Sequence, residues 1–244
     1  MTYGTAYDAV VLAGGSARRL GGVDKPGLAV GGRTLLRRVV DAAGDAGRAI
    51  VVGPEREGLP GVLFTRERPP GGGPVPALRA GLDLCEADHV LLLAADLPFL
   101  AADHVALLRA AAAGEPPAEP HAPGAEAHAP GGEPYAPGGE PYAPGGEPYA
   151  LGGEPRDAGD RGAGPYAAGR GGPRGVVAVD GSGREQWLLS WWRTGPLREA
   201  LAGYHGTSLR GLFRPLGPVR VRLPDEACFD CDTIDDLNSA RERA

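Results

Sequence analysis

The sequence predicts an α/β fold in which helices cover both faces of a mostly parallel sheet, interrupted by a long segment rich in proline and glycine. Short apolar runs of strand length alternate with segments whose apolar residues recur at helical spacing. Such alternation is typical of strands joined by crossover helices. Between residues 114 and 174 the composition changes sharply and neither pattern continues.

Each predicted strand is a short apolar run that ends close to glycine, proline or a polar residue. The first, residues 8–12, stops before Gly14 and Gly15, and the strongest, residues 89–94, reads His-Val-Leu-Leu-Leu-Ala. Continuous apolar runs of this length suit strands that are buried on both faces. The other predicted strands are residues 49–52, 62–64, 175–179, 186–190 and 219–223.

The predicted helices lie between these strands, and several begin at residues that cap helices well. Thr34 and Asp103 each precede an apolar stripe with helical spacing. Their side chains can accept a hydrogen bond from the unpaired backbone amides of a first helical turn. The remaining predicted helices are residues 75–84, 196–202, 208–213 and 233–243.

The segment from Gly114 to Arg174 predicts a disordered insert. It repeats the heptad Ala-Pro-Gly-Gly-Glu-Pro-Tyr three times over residues 129–149, and it lacks Ile, Val, Phe, Met and Trp. Proline and glycine at this density oppose helices and sheets, and the segment has little apolar surface to bury. We therefore predict a single domain formed by residues 1–113 and 175–244. The tyrosine spacing could alternatively mark a binding motif for a partner.

The charge balance and the apolar runs argue against two classes of partner. A net charge of −6 offers no basic surface for nucleic acid. No apolar run is long enough for a membrane-spanning helix, and the first apolar stretch is too short for the core of a signal peptide. We therefore expect a cytoplasmic protein that binds neither nucleic acid nor membranes.

The three cysteines do not form a recognisable disulfide or zinc framework. Cys228 and Cys231 have CxxC spacing, which would also suit a redox pair or half a zinc site. No second pair of Cys or His ligands accompanies them elsewhere in the sequence. Ordinary buried or half-buried cysteines are the favoured interpretation.

The loop after the first predicted strand has the composition of a triphosphate-binding loop. Adjacent glycines at 14 and 15 leave backbone amides open to phosphate oxygens. Arg18, Arg19 and Lys25 add three cations to the same loop. The loop matches neither the P-loop pattern GxxxxGK[ST] nor the dinucleotide pattern GxGxxG.

Carboxylates follow the strongest strand and precede the last helix. Ligands of such sheets bind beyond the carboxyl ends of the strands, so Asp96 is a candidate Mg²⁺ ligand. Asp96 could equally cap the turn before Pro98. Near the C-terminus, Asp232 or Thr233 could cap the last helix, which would leave Asp230 as a second metal ligand.

Together these motifs resemble the molybdenum cofactor guanylyltransferase family and its nucleotidyltransferase relatives. The run from Leu12 to Lys25 is similar to the LAGGxxxRMGGxDK loop of that family over nearly its whole length. The motifs Gly71-Gly-Gly-Pro74, Asp96-Leu-Pro98 and Asp232-Thr-Ile-Asp-Asp-Leu237 follow in the expected order. This resemblance covers the chain except the insert, and it implies a Rossmann-like three-layer sandwich.

The resemblance also implies which residues contact the nucleotide. The family usually has an aspartate shortly before the GGxP turn that helps to bind the nucleotide. Glu67 occupies that stretch here, so either Glu67 substitutes for the aspartate or this nucleotide contact is lost. Where the family favours glycine after that turn, Ala77 adds a methyl group that would crowd a base edge. The expected contacts are Leu12, Ala13 and Gly14 with the base and Gly15, Arg19 and Lys25 with the phosphates.

By the same resemblance, Mg²⁺ is the implied cofactor and Asp96 its main ligand, with Asp230 as the second. Asp232 and Gln186 are expected near the acceptor. One of the three tryptophans at positions 187, 191 and 192 could stack on a pterin, although core packing is the more common role. The residues expected to contribute most to catalysis are Lys25, Arg19 and Asp96.

The family transfers GMP from GTP to Mo-molybdopterin and releases pyrophosphate, and this reaction is therefore expected here. The acceptor phosphate is already an anion, so no general base is needed, and the sequence contains no Ser-His-Asp or Cys-His signature. Two alternatives stay open. The chain could be a cytidylyl- or other nucleotidyltransferase with a different phosphorylated acceptor, or a nucleotide-binding module without turnover.

Overall fold

The computed structural model of the chain describes residues 6–14, 24–115 and 172–244. Within these residues, seven strands form one sheet in the order β5-β4-β1-β6-β8-β7-β9, and β2 and β3 form a small separate hairpin. The strands are β1 (Tyr7–Leu12), β2 (Ala29–Val30), β3 (Arg33–Thr34), β4 (Ala49–Val52), β5 (Val62–Thr65), β6 (His89–Ala94), β7 (Gly175–Val179), β8 (Glu185–Arg193) and β9 (Val219–Arg222).

The large sheet is mostly parallel. Strand β1 pairs in parallel with β4 and β6, β4 with β5, and β7 with β9. Within the described sheet, β8 alone runs antiparallel to its neighbours β6 and β7. Leu12 lies opposite Ala94 in the register of β1 and β6, so these two central strands end level with each other.

Helices cover both faces of this sheet and complete three layers. The helices are α1 (Leu35–Ala42), α2 (Pro74–Leu82), α3 (Ala102–Ala112), α4 (Thr194–Ala202), α5 (Leu209–Phe213) and α6 (Ile234–Glu242). Buried residues of α1 and α3 pack with one set of strand side chains, and those of α2, α4 and α5 pack with the alternate set. Because successive strand residues point to opposite faces, each central strand contributes to both apolar clusters.

Helix α2 approaches β1 closely at a glycine. A Cβ placed on Gly81 would lie 2.5 Å from Cγ1 of Val10 and 3.1 Å from Cγ2 of Val52. The helix begins with Pro74, and Pro76 also lies in its first turn, where a missing N–H costs little.

The structure confirms the predicted three-layer α/β sandwich with a mostly parallel sheet. Thr34 caps α1 as predicted, since its side chain accepts a hydrogen bond from the amide of Arg37. The prediction that Asp103 caps α3 is wrong: the helix begins at Ala102, two residues earlier than such a cap would allow, and Ala101 occupies the N-cap position. Asp103 instead lies in the first turn, where its negative charge interacts favourably with the helix dipole.

Two further features differ from the sequence prediction. Strand β8 spans nine residues instead of five, because Trp191 and Trp192 continue it into the core. The β2–β3 hairpin had no predicted counterpart, because two-residue strands carry too little periodicity to be read from a sequence. Most of the predicted insert, residues 116–171, lies outside the described residues. In the described part of the chain, no helix is long and apolar enough to cross a membrane.

Candidate functional site

Three chain segments meet beyond the carboxyl ends of β1 and β6. Gly14 follows β1, and Asp96 follows β6 by two residues. The segment before α6 joins them, because the amide of Cys231 donates a hydrogen bond to the backbone carbonyl of Asp96 at 3.2 Å. This edge of a parallel sheet is where α/β proteins bind ligands.

Lys25 lies at the centre of this site. Its Nζ is 2.5 Å from Oδ2 of Asp96 and 2.7 Å from Oδ1 of Asp232, and its side chain is only 14% exposed. Burial by itself would lower the pKa of Lys25, but the Asp96 and Asp232 carboxylates outweigh it and raise the pKa above its ordinary value of 10.5. The lysine is therefore a firmly held cation at neutral pH.

The second oxygen of Asp96 is available for a metal ion. Oδ1 of Asp96 is buried and has no hydrogen-bond partner among the described residues. A buried carboxylate oxygen without a partner is costly, and a bound cation would satisfy it. The ordinary interpretation, in which Asp96 merely caps a turn, leaves this oxygen unexplained.

Asp230 adds negative charge to the same site. Partial burial, followed by the Asp232 and Asp96 carboxylates, raises the pKa of Asp230. Within the described residues, no group of three or more His, Cys, Asp or Glu side chains has the arrangement of a metal centre. Mg²⁺ usually takes only one or two carboxylates and completes its shell with water and phosphate oxygens. In type and number, Asp96 and Asp230 are therefore suitable candidate ligands for a magnesium ion.

Glu67 lies beside Gly14 at the candidate site. A Cβ placed on Gly14 would lie 3.8 Å from Oε1 of Glu67, so the carboxylate stands beside the exposed backbone of Gly14. The amide of Gly71 donates a hydrogen bond to the same oxygen at 2.8 Å, which fixes the direction of the side chain. Gly71 and Gly73 have φ values of 76° and 94°, which favour glycine in this turn.

Leu12 and Ala13 contribute mainly to the core. Both are buried, and the amide of Ala13 already donates to the carbonyl of Val52 at 2.9 Å. Ala77 is also buried in the apolar cluster that contains Leu12. The predicted contacts of Leu12, Ala13 and Gly14 with a base stay predictions, and any such contact would involve their backbone.

Gln186 lies at the same edge of the sheet, at the beginning of β8. Its Nε2 donates to Oδ2 of Asp180 at 2.9 Å, and the other oxygen of Asp180 accepts from the amides of Ser182 and Arg184. Gln186 therefore supports the turn between β7 and β8. Its predicted contact with an acceptor, like that of Asp232, stays a prediction.

The tryptophans form part of the core, which is the more common of the two roles considered from the sequence. Trp191 and Trp192 are buried, and Trp187 is half-buried with its ring centroid 6.0 Å from that of Phe213. The three cysteines are buried and free, also as predicted. Burial raises the pKa of Cys228 and Cys231 to about 11, which disfavours a reactive thiolate.

Two residues predicted to contact phosphates, Gly15 and Arg19, lie outside the described residues, together with Arg18. The structure also places at this site an arginine that the sequence did not single out: Arg56, in the loop after β4, binds the carboxylate of Asp24 beside Lys25. The sequence signal for Arg56 is its position four residues after a parallel strand, at the edge of the sheet where ligands bind.

Comparison with known proteins identifies the family of the chain. The family model described as MobA-like NTP transferase domain matches residues 9–154, more than half of the chain. A molybdenum cofactor guanylyltransferase of Bradyrhizobium sp. (strain ORS 278) is 38% identical over 121 residues, which cover 46% of this chain and 57% of that protein. The chain thus aligns with little more than half the length of this relative.

Two solved structures share the fold at low sequence identity. The molybdopterin-guanine dinucleotide biosynthesis protein A from Archaeoglobus fulgidus has a TM-score of 0.57 and 14% identity, with 97% of both chains covered. The 2-C-methyl-D-erythritol 4-phosphate cytidylyltransferase from Thermus thermophilus also has a TM-score of 0.57, with 18% identity and 96% of both chains covered. The family match and the shared fold together show that this chain belongs to the MobA-like NTP transferase domain family.

Proposed function

We propose that this chain catalyses the Mg²⁺-dependent transfer of GMP from GTP to Mo-molybdopterin, giving molybdopterin guanine dinucleotide and pyrophosphate. The position of Lys25 between Asp96 and Asp232 supports this function most directly. It puts a compact cation and a metal-binding carboxylate together at the ligand edge of the sheet. The relative from Bradyrhizobium is named a molybdenum cofactor guanylyltransferase, which supports the choice of substrates.

The reaction needs charge neutralisation more than proton transfer. A phosphate oxygen of the acceptor must approach the α-phosphate of a nucleoside triphosphate, and both groups are anions. An ammonium has three N–H donors, and two of those of Lys25 meet Asp96 and Asp232. The third donor of Lys25 can therefore meet a phosphate oxygen without breaking either contact. A preorganised cation of this kind stabilises charge that develops in the transition state.

The magnesium ion would be held by Asp96 and Asp230. Oδ1 of Asp96 is the buried oxygen without a hydrogen-bond partner among the described residues of the site. Burial first, and then the neighbouring Asp232 and Asp96 carboxylates, raise the pKa of Asp230, and a bound cation would offset the repulsion among these carboxylates. When bound, Mg²⁺ supplies positive charge to the phosphates and helps to align them for in-line attack. Asp96 would thus contact both Lys25 and the metal, which sets the distance between the two positive charges.

Glu67 favours guanine over cytosine as the base. The Watson–Crick edge of guanine carries two neighbouring donors, its N1–H and its 2-amino group, and a carboxylate can accept from both. Cytosine offers a single amino donor beside an acceptor nitrogen, which a carboxylate would repel. Since Glu67 stands beside the backbone of Gly14, we infer that it contributes to the choice of GTP.

Pyrophosphate release measured with each nucleotide tests this function. The full chain is incubated with Mo-molybdopterin, Mg²⁺ and GTP, CTP or ATP, with a matched EDTA arm. Release with GTP that EDTA abolishes supports the proposal. Release with CTP instead would identify a cytidylyltransferase, and binding of GTP without release would identify a non-catalytic module.

The variant Asp96→Ala should lower the rate of pyrophosphate release at least about a hundredfold, because a preorganised charge of the site is lost. Arg33→Ala is the matched control, since Arg33 is an exposed partner in a surface ion pair away from Lys25. A near-normal rate for Asp96→Ala would remove the role given to this carboxylate, even if the wild-type chain uses GTP.

A further inference from the structure

An ion pair connects two loops at the edge of the nucleotide site. Nη2 of Arg56 lies 2.5 Å from Oδ1 of Asp24, and Nε of Arg56 lies 3.2 Å from Oδ2, so the guanidinium holds both carboxylate oxygens. A third donor, Nη1 of Arg56, bonds the carbonyl of Pro54 at 3.0 Å. Because two donors of Arg56 bind the two oxygens of Asp24, the contact fixes the orientation of the carboxylate as well as its distance. A lysine in place of Arg56 would not fix this orientation.

Arg56 is well anchored although its partner is exposed. The side chain of Arg56 is 14% exposed, whereas that of Asp24 is 59% exposed. The loop that carries Arg56 starts from the buried end of β4, where the amide of Gly53 donates to the carbonyl of Thr65 at 2.9 Å. A Cβ on Gly53 would lie 2.9 Å from the carbonyl oxygen of Ala13, so this loop is packed closely against the end of β1.

Asp24 directly precedes the short 3₁₀ turn Lys25–Gly27 and forms its N-cap. The carbonyl of Asp24 accepts from the amide of Gly27 at 3.0 Å. Its carboxylate is folded against the same residue, since a Cβ on Gly27 would lie 2.5 Å from Oδ2 of Asp24. One turn of 3₁₀ helix is weak on its own, so its position depends on contacts outside it.

We propose that Arg56 is a positioning residue for the transfer reaction, because it holds Asp24 and thereby the turn that presents Lys25 to Asp96 and the phosphates. This inference rests on the proposed function. Among the ion pairs of the described residues, those of Lys25 are with Asp96 and Asp232, and Arg56 acts on Lys25 through the backbone of the turn. A misplacement of about 1 Å at a reacting site can cost as much as a hundredfold in rate, so such a contact matters to catalysis beyond its small effect on stability.

The kinetic test compares Arg56→Gln, Asp24→Asn and the double variant. Each single variant should lower kcat by about 10- to 100-fold with little change in the KM for GTP, because binding contacts remain while Lys25 is misplaced. The double variant should lose no more than the worse single variant, because both changes break one contact. Arg56→Lys should recover part of the lost rate.

Arg48→Gln is a matched control. Arg48 also binds a carboxylate, that of Glu86, and a loop carbonyl, that of Leu84, but it precedes β4 and so lies at the opposite edge of the sheet from Lys25. It should lower the melting temperature about as much as Arg56→Gln and leave kcat within twofold of the wild type. Equal losses of kcat in both variants would show a general loss of packing and would overturn the proposal.

A second readout does not depend on turnover. Lys25 is the only lysine in the sequence, so protein grown with ¹³C-labelled lysine gives the signals of this one side chain. A held Lys25 should give two distinct Hε resonances in the wild type, and these should collapse toward a single average position in Arg56→Gln. Lys25→Ala identifies the signals by removing them.

These readouts separate the two proposals. If the wild type releases no pyrophosphate but its lysine signals collapse in Arg56→Gln, the transfer function fails and the positioning of Lys25 stands. If the wild type is active and Arg56→Gln keeps both its kcat and its lysine signals, the positioning role is overturned and the transfer function stands.

Discussion

At the residue scale, the site depends on one compact cation. Of the 25 lysines and arginines in the sequence, Lys25 is the only lysine. It sits between two carboxylates at 2.5 and 2.7 Å with 14% of its side chain exposed. A planar guanidinium is larger and directs its donors in a fixed fork, so arginine does not fit this position in the same way.

We therefore expect that arginine cannot replace Lys25. Lys25→Ala should lower kcat at least about a hundredfold, because a preorganised charge is lost. Lys25→Arg should recover less than about a tenth of the wild-type rate despite keeping the charge. The control exchange Arg33→Lys, at an exposed ion pair, should leave the rate unchanged. A fully active Lys25→Arg variant would show that charge alone is sufficient.

The ionisation of Lys25 can be measured directly because no other lysine contributes. Its pKa in the folded chain should lie above 10.5, and Asp96→Asn should lower it, since Asp96 is the strongest influence that raises it. A lysine whose pKa is raised by folding stabilises the fold below its unfolded pKa, and this stability is lost as the pH rises through the folded pKa. The titration of the ¹³Cε signal measures the midpoint; a value at or below 10.5 would contradict the ion pairs.

At the scale of elements, the contact between α2 and β1 positions the glycine-rich turn at the edge of the candidate site. Helix α2 begins in the glycine-rich turn next to Glu67, and its Gly81 packs on Val10 in the middle of β1. The glycine allows α2 to pack closely on β1. Since the turn that orients Glu67 is joined to the start of α2, the position of this turn depends on how the helix packs. The packing of α2 therefore sets the geometry of the site.

Gly81→Ala should destabilise the fold by about 1–3 kcal/mol, because the added methyl group would overlap Val10 in a closely packed core. Gly195→Ala is the matched control, since Gly195 is also helical and a Cβ there meets nothing within 4 Å. That control should leave stability unchanged or raise it slightly. Urea denaturation compares the two variants, and equal effects would contradict the close contact.

At the scale of the whole molecule, the described residues before and after the segment 116–171 together form one three-layer sandwich. A Cβ on Gly172 would lie 3.2 Å from the carbonyl oxygen of Ala112, so the chain re-enters the fold close to where α3 ends. A short connection can therefore join the two parts. Strands β7, β8 and β9 then complete the sheet next to β6.

Deletion of residues Glu115–Pro173, with a short glycine-serine linker in their place, should leave the fold and the activity largely intact. The lengthening of a loop changes its closure entropy only slowly, so the melting temperature should change by no more than a few degrees. Thermal unfolding and pyrophosphate release measure both properties against the full chain. A folded but inactive deletion variant would show that the heptad repeats take part in function.

The sequence by itself determined the α/β class, most strands and helices, and several residues of the candidate site, although not Arg56. Continuous apolar runs such as that of β6 predict buried parallel strands, and the glycine-rich turn after β1 with Lys25 predicts a phosphate loop, because both signals are local in the chain. Asp96 could be proposed because parallel strands present their ligands at one edge. The cap of α3 and the length of β8 differ from the sequence prediction, because a local pattern indicates where an element lies better than where it ends.

Only the tertiary structure decided which side chains meet. Lys25 and Asp232 are 207 residues apart in the chain, and Arg56 and Asp24 are 32 apart, yet each pair forms an ion pair. No periodicity or motif spacing encodes such contacts, because they depend on the order of the strands and on how closely the loops pack at the sheet edge. Strand order brought β6 beside β1, and the hydrogen bond from Cys231 to Asp96 brought the C-terminal carboxylates to the lysine.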